Sequence, residues 1–172
     1  MRRHSAVAAL AVAVLAVTVV PSAWAGPRPF RTRAADDTAW RLIESALARS
    51  ETVRNLVEQL ERSDVIVTVQ VCHVTAPALG DTRVVAAAEG TRFLRVRVTV
   101  REDLTDQLVV LGHELRHAVE IADAPEVRNA EGQRALGERI GWSSAAAGGY
   151  ETEAAITAGD AVRRELRRGN VR

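Results

Sequence analysis

Apolar residues change their spacing twice between Asp36 and Arg168. From Asp36 to Arg62, Leu42, Ile43, Ala46, Leu47, Val53, Leu56, Val57 and Leu60 recur at three- and four-residue intervals, the mark of a helix with one buried face. Asp36 and Asp37 complement a helix start, and Ser50 offers a joint, so the stretch reads as one helix or two broken near Ser50. The period then shortens to two. Val65 to Val71 is β-branched and alternating, and a loop with Pro77 and Gly80 follows. Val84–Glu89 and Phe93–Val100 flank Gly90 as a hairpin, with Leu94, Val96, Val98 and Val100 on one face and Arg95, Arg97 and Thr99 on the wet one. Helical spacing returns over Thr105–Ala122, Pro125–Ile140 and Glu151–Arg168, and the Gly-, Ser- and Ala-rich stretch Gly141–Gly149 between the last two reads as a mobile loop. The order of an N-terminal helix, a small three-stranded sheet with a hairpin, and three helices predicts an α+β domain without internal repeats.

The first residues follow neither period. Arg2 and Arg3 precede a small, apolar run from Ala6 to Val20, broken by Pro21 ahead of Ala23-Trp24-Ala25. That is the layout of a secretory signal peptide over residues 1–25, cleaved after Ala25, and the apolar run is shorter than the roughly 20 residues of a membrane-spanning helix. The expected product is a secreted or periplasmic chain with no membrane attachment after cleavage. Residues 26–172 then form a single domain.

Removing Arg2 and Arg3 takes the 23 basic residues to 21, against 22 acidic ones. A balance so near neutral points to neither nucleic acid nor a membrane surface as partner. The single cysteine, Cys72, has no intramolecular partner, so an exported chain of this size relies on its core, on a bound metal, or on both.

Candidate chemistry is concentrated at His113-Glu114-Leu115-Arg116-His117, an HExxH pattern inside the helix expected over Thr105–Ala122. On a helix His117 stands one turn from His113 and about 40° round, so both imidazoles reach one ion, while Glu114 stands about 100° away, beside that ion. Leu108, Leu111, Leu115 and Val119 occupy the opposite face, which lets the helix pack leucine side down and turn its histidines to a cleft. Zinc accepts two neutral imidazoles, keeps a position open for water in catalytic sites, and leaves Glu114 to move that water's proton. The plainer alternative is a pair of half-buried histidines beside Glu114 and Glu120.

With this motif on a helix that follows a strand hairpin, the chain resembles the zincin metallopeptidases. The resemblance is confined to Thr91–Ala122 and Tyr150–Leu166; elsewhere only the order of elements agrees. It implies His113 and His117 as zinc ligands, Glu114 as general base, and Phe93–Val100 as an edge strand pairing with an extended peptide or protein substrate. The third ligand divides the family. Asp123 stands where metzincins carry their last ligand, but Glu120 replaces the glycine that turns the chain back to the metal. Gluzincins instead take a glutamate from a later helix, and Tyr150-Glu151-Thr152-Glu153 opens one. Glu151 would share a face with Ala154, Ala155, Ala158 and Val162, small enough to pack on the motif helix, whereas Glu153 falls with Thr157, Asp160 and Arg164. Glu151 is therefore the first candidate, with Glu153, Asp123, Glu120 and His73 as alternatives, and the layout is most similar to a small single-domain gluzincin. Tyr150 is a candidate hydroxyl donor to the reaction intermediate. Two functions fit: an exported zinc-dependent endopeptidase, and a non-catalytic exported zinc-binding or interaction domain with the same fold.

Overall fold

Ser50 divides the first amphipathic stretch into α1 (Asp37–Arg49) and α2 (Glu51–Glu61). Its backbone is extended, and its hydroxyl accepts from Val53 N at 3.1 Å, capping α2. The same hydroxyl donates to Glu165 at 2.5 Å, and Glu165 also receives the Thr52 hydroxyl at 2.7 Å. A carboxylate from the last helix thus closes the start of α2. The computed structural model describes residue 26 and residues 29–74, 78–144 and 149–169, so the leader expected over 1–25 lies outside the described residues.

Strands β1 (Thr32–Ala34), β2 (Val65–Cys72), β3 (Gly80–Ala88) and β4 (Thr91–Thr99) form a sheet in the order β1-β2-β4-β3. β1, β2 and β4 run parallel, and β3 is antiparallel to β4. Glu89 and Gly90 both take positive φ, the conformation of a tight hairpin turn that follows the strands' own twist. Two expectations are corrected here. Phe93–Val100 is not an edge, because β4 pairs with β2 from Val65↔Arg92 to Cys72↔Thr99 and with β3 on its other side; the edge facing α3 and α4 is β3. The sheet also has four strands, since Thr32–Ala34 joins it after Glu61 accepts the backbone N–H groups of Phe30, Arg31 and Thr32 at 2.9, 2.8 and 3.0 Å. A three-residue strand is too short to carry a period.

One face of the sheet buries Val65, Val67, Val69, Leu94, Val96 and Val98 beneath α1, α2 and α3 (Leu104–Ala122). Helix α4 (Ala130–Ile140) starts five residues later than expected because the Asn129 side chain accepts from Gly132 N at 2.9 Å and caps it there. Between α4 and α5 (Glu153–Gly169) the expected loop contains a ribbon, β5 (Trp142–Ser144) paired antiparallel with β6 (Gly149–Glu151). Residues 145–148 of that stretch lie outside the described ones. The α+β class holds, with five helices and a small mixed sheet among the described residues. No described helix is long and apolar enough to cross a membrane.

Arg92, fully buried, fixes the far end of α3. Its guanidinium donates to the carbonyls of Ile121 (2.6 Å), Ala124 (2.7 Å) and Ala122 (2.9 Å), and it pairs with Asp64 at 2.5 and 2.9 Å. A cation at a helix C-terminus satisfies carbonyls that have no partner inside the helix.

Candidate metal centre

Helix α3 carries the HExxH residues in the orientation its periodicity implies. Leu108, Leu111, Leu115 and Val119 are buried, and His113 and His117 face away from them, their rings edge to face with centroids 4.9 Å apart. Helix α5 lies close against α3 because Gly112 presents no side chain: a Cβ there would stand 2.6 Å from Val162 Cγ2. Buried Ala155 and Ala158 keep the opposing face of α5 small. The start of α5 is thereby brought over the two histidines.

Glu151 completes the cluster from β6. Its Oε1 lies 3.3 Å from His113 Nε2 and 3.5 Å from His117 Nε2, and one donor atom from each of the three residues falls within 4.8 Å of the others. The helical position expected for Glu151 is corrected: it pairs with Trp142 in the ribbon, and α5 begins only after Thr152, whose hydroxyl accepts from Ala155 N at 3.1 Å. Of the alternatives, Asp123, Glu153 and His73 are exposed and outside the cluster. Glu120 is buried, but on the far side of His117, where Oε2 meets Nδ1 at 2.9 Å and Oε1 accepts the Thr152 hydroxyl at 2.8 Å. His113 hydrogen-bonds the backbone of Ala155.

The donor set and its spacing suit a tetrahedral cation. With bonds of about 2.0–2.1 Å, the ligand atoms of tetrahedral zinc lie about 3.3–3.4 Å apart, close to the 3.3 and 3.5 Å that separate Glu151 Oε1 from the two Nε2 atoms. Were His117 to bind an ion through Nε2, Glu120 on its remote nitrogen would fix the tautomer and raise the ring's basicity.

Electrostatics in the cluster are uneven. Burial pulls both imidazoles down. It prevails for His113, together with the nearby charge of His117, and leaves it below the usual histidine value. For His117 the hydrogen bonds with Glu120 and Glu151 outweigh burial and push it up to about 10. Burial alone would raise Glu120 and Glu151, yet hydrogen bonds with His117 and Thr152 hold both below the ordinary carboxylate range.

Glu114 sits on the sheet side of the cluster. Burial raises its carboxyl to about 7, against the opposing effects of His117 and of a hydrogen bond from Thr82. Thr82 Oγ1 on β3 lies 2.8 Å from Glu114 Oε2 and 2.9 Å from the Glu114 carbonyl. Gly80 permits this closeness, since a Cβ there would stand 2.7 Å from Glu114 Oε1. A cleft of about 580 Å³ opens over the cluster, lined by Thr82, Glu114, Gln133, Tyr150 and Glu151 among others. Tyr150 gives its hydroxyl to Glu138 at 2.9 Å and packs its ring on Gly137, so in this arrangement it is not a donor to the cluster.

Sequence reasoning missed Thr82, Thr152 and Gln133, all polar residues whose roles depend on distant partners. Comparison with protein-family models, with curated proteins and with solved structures returned no match.

Proposed function

We propose that the chain is an exported zinc-dependent endopeptidase of the zincin type, closest in layout to a small gluzincin. The observation that carries this reading is the meeting of His113 Nε2, His117 Nε2 and Glu151 Oε1 beside buried Glu114, on the floor of an open cleft. Zinc, when bound, polarises the scissile carbonyl and lowers the pKa of its water to about 7. Glu114 is the general base. Thr82 occupies its Oε2, which leaves Oε1 to take a proton and return it to the leaving amine. The peptide lies extended along β3, whose outer backbone groups offer strand pairing next to that carboxylate. Export rests on the leader pattern of residues 1–25.

The test is zinc content followed by peptide-library cleavage, for the wild type and for Glu114→Ala. The expected result is stoichiometric zinc in both and cleavage by the wild type alone. Zinc without cleavage in the wild type overturns the enzyme reading and leaves a non-catalytic zinc-binding domain. Retained stoichiometric zinc in His113→Ala overturns the site itself.

A further inference from the structure

Strand pairing on β3 is not open along its whole length. Thr99 N donates to Leu79 O at 2.8 Å, so Leu79, Asp81 and Arg83 turn their backbone groups toward β4, and by alternation Gly80, Thr82 and Val84 turn theirs outward. Gln133, from α4, already occupies two of those outward groups. Its Nε2 donates to Thr82 O at 2.6 Å, and its Oε1 accepts from Val84 N at 2.9 Å. A primary amide carries one acceptor and two donors, so Gln133 does for Thr82 and Val84 what a peptide unit of a neighbouring strand would do. An independent feature ends the edge at the same place. The register slips between Val84 and Ala86, a bulge that bends β3 away from further regular pairing. The outward groups of Gly80 and the Thr82 N–H, next to Glu114, are left for a peptide.

We propose that Gln133 is a specificity-determining residue that closes the substrate groove at Thr82, so that a bound peptide is gripped along β3 only on the Gly80 side and leaves the strand at Gln133. This rests on the peptidase reading above. Selectivity is then set mainly by substrate residues on one side of the scissile bond. A peptide that enters the Val84 side must first displace an amide that already satisfies both groups, so it gains nothing net there.

The experiment is calorimetry on zinc-loaded protein carrying Glu114→Gln, which prevents turnover, with and without Gln133→Ala. The probes are short unlabelled peptides extended by two residues at the amino or the carboxyl end. With Gln133 present, extension at one end tightens binding and extension at the other leaves Kd unchanged within about twofold. With Gln133→Ala, extension at the second end also tightens binding, by about tenfold for the two hydrogen bonds released. Hydrogen exchange at the Val84 amide, protected only by Gln133, speeds up in the same variant. Two-sided gain in both proteins, no gain at the second end after Gln133→Ala, or unchanged Val84 exchange overturns the proposal. The outcomes separate it from the function it rests on: one-sided binding by a zinc protein that cleaves nothing when Glu114 is intact sinks the peptidase and leaves the groove standing.

Discussion

Glu120 Oε2 and His117 Nδ1 lie 2.9 Å apart, while the opposite nitrogen of the same ring faces Glu151 Oε1 at 3.5 Å. One imidazole is bracketed by two carboxylates, and Thr152 ties both down, since its hydroxyl binds Glu120 and its backbone N–H binds Glu151. Glu120→Gln keeps the shape and removes the charge that favours Nε2 as a ligand. Zinc affinity, read by chelator competition, should fall about 10- to 100-fold. Unchanged affinity would mean that Glu120 does not tune the site.

Thr82→Val removes the hydroxyl beside Glu114 at nearly constant volume. The buried carboxylate loses a hydrogen-bond donor, at a cost of about 1–3 kcal/mol in stability measured by urea unfolding. Zinc content should stay stoichiometric while kcat falls about tenfold, equivalent to about 1.4 kcal/mol of activation free energy. A fall confined to KM would contradict the positioning role.

Gly112→Ala inserts a methyl group where Val162 Cγ2 already stands, and a β-branched side chain has little freedom to yield. Overpacking should destabilise the protein by about 1–3 kcal/mol and, by pushing α5 from α3, move Glu151 off the histidines. Both thermal unfolding and zinc titration should register the change. Lost stability with intact zinc affinity would show that Glu151 is positioned by the ribbon alone.

Arg92 and Asp64 form the pair that locks the end of α3, and Arg92→Met leaves Asp64 and several carbonyls without their cation. The expected loss is about 1–3 kcal/mol, mainly from the carbonyls of Ile121, Ala122 and Ala124 left without their donor, since the Asp64 side chain is 38% exposed and is rehydrated. The pair also fixes a pH dependence. The hydrogen bond from Arg92 holds the Asp64 carboxyl below its ordinary value. A depressed acid contributes stability above its unfolded pKa of about 4 and loses it as pH falls through the lower folded value. Acid unfolding of the wild type should therefore include a component below about pH 4 that Arg92→Met lacks.

The long helices and the central strands were legible because their signals are local. Four-residue spacing alone places His113 and His117 on one side of α3, and Ser50 between two apolar stripes marks the joint of α1 and α2. The edge strand was not legible. Alternation in β3 and β4 tells which face is buried, but says nothing of which strand has a neighbour on both sides. Glu151 is a sharper case: the residue expected in the cluster arrives there from a strand, because a ribbon invisible as a period carries it and Thr152 starts the helix later. Arg92 did leave a signal, since it shares the face of Leu94, Val96 and Val98, where a cation requires partners.

The most direct measurement is a crystal structure of the zinc-soaked protein with anomalous scattering at the zinc edge. One ion is expected, bonded to His113 Nε2, His117 Nε2 and a Glu151 carboxylate oxygen at about 2.0–2.2 Å, with a position open to the cleft beside Glu114. An ion held by other residues, or a His113–His117–Glu151 cluster that takes up no zinc, would contradict it.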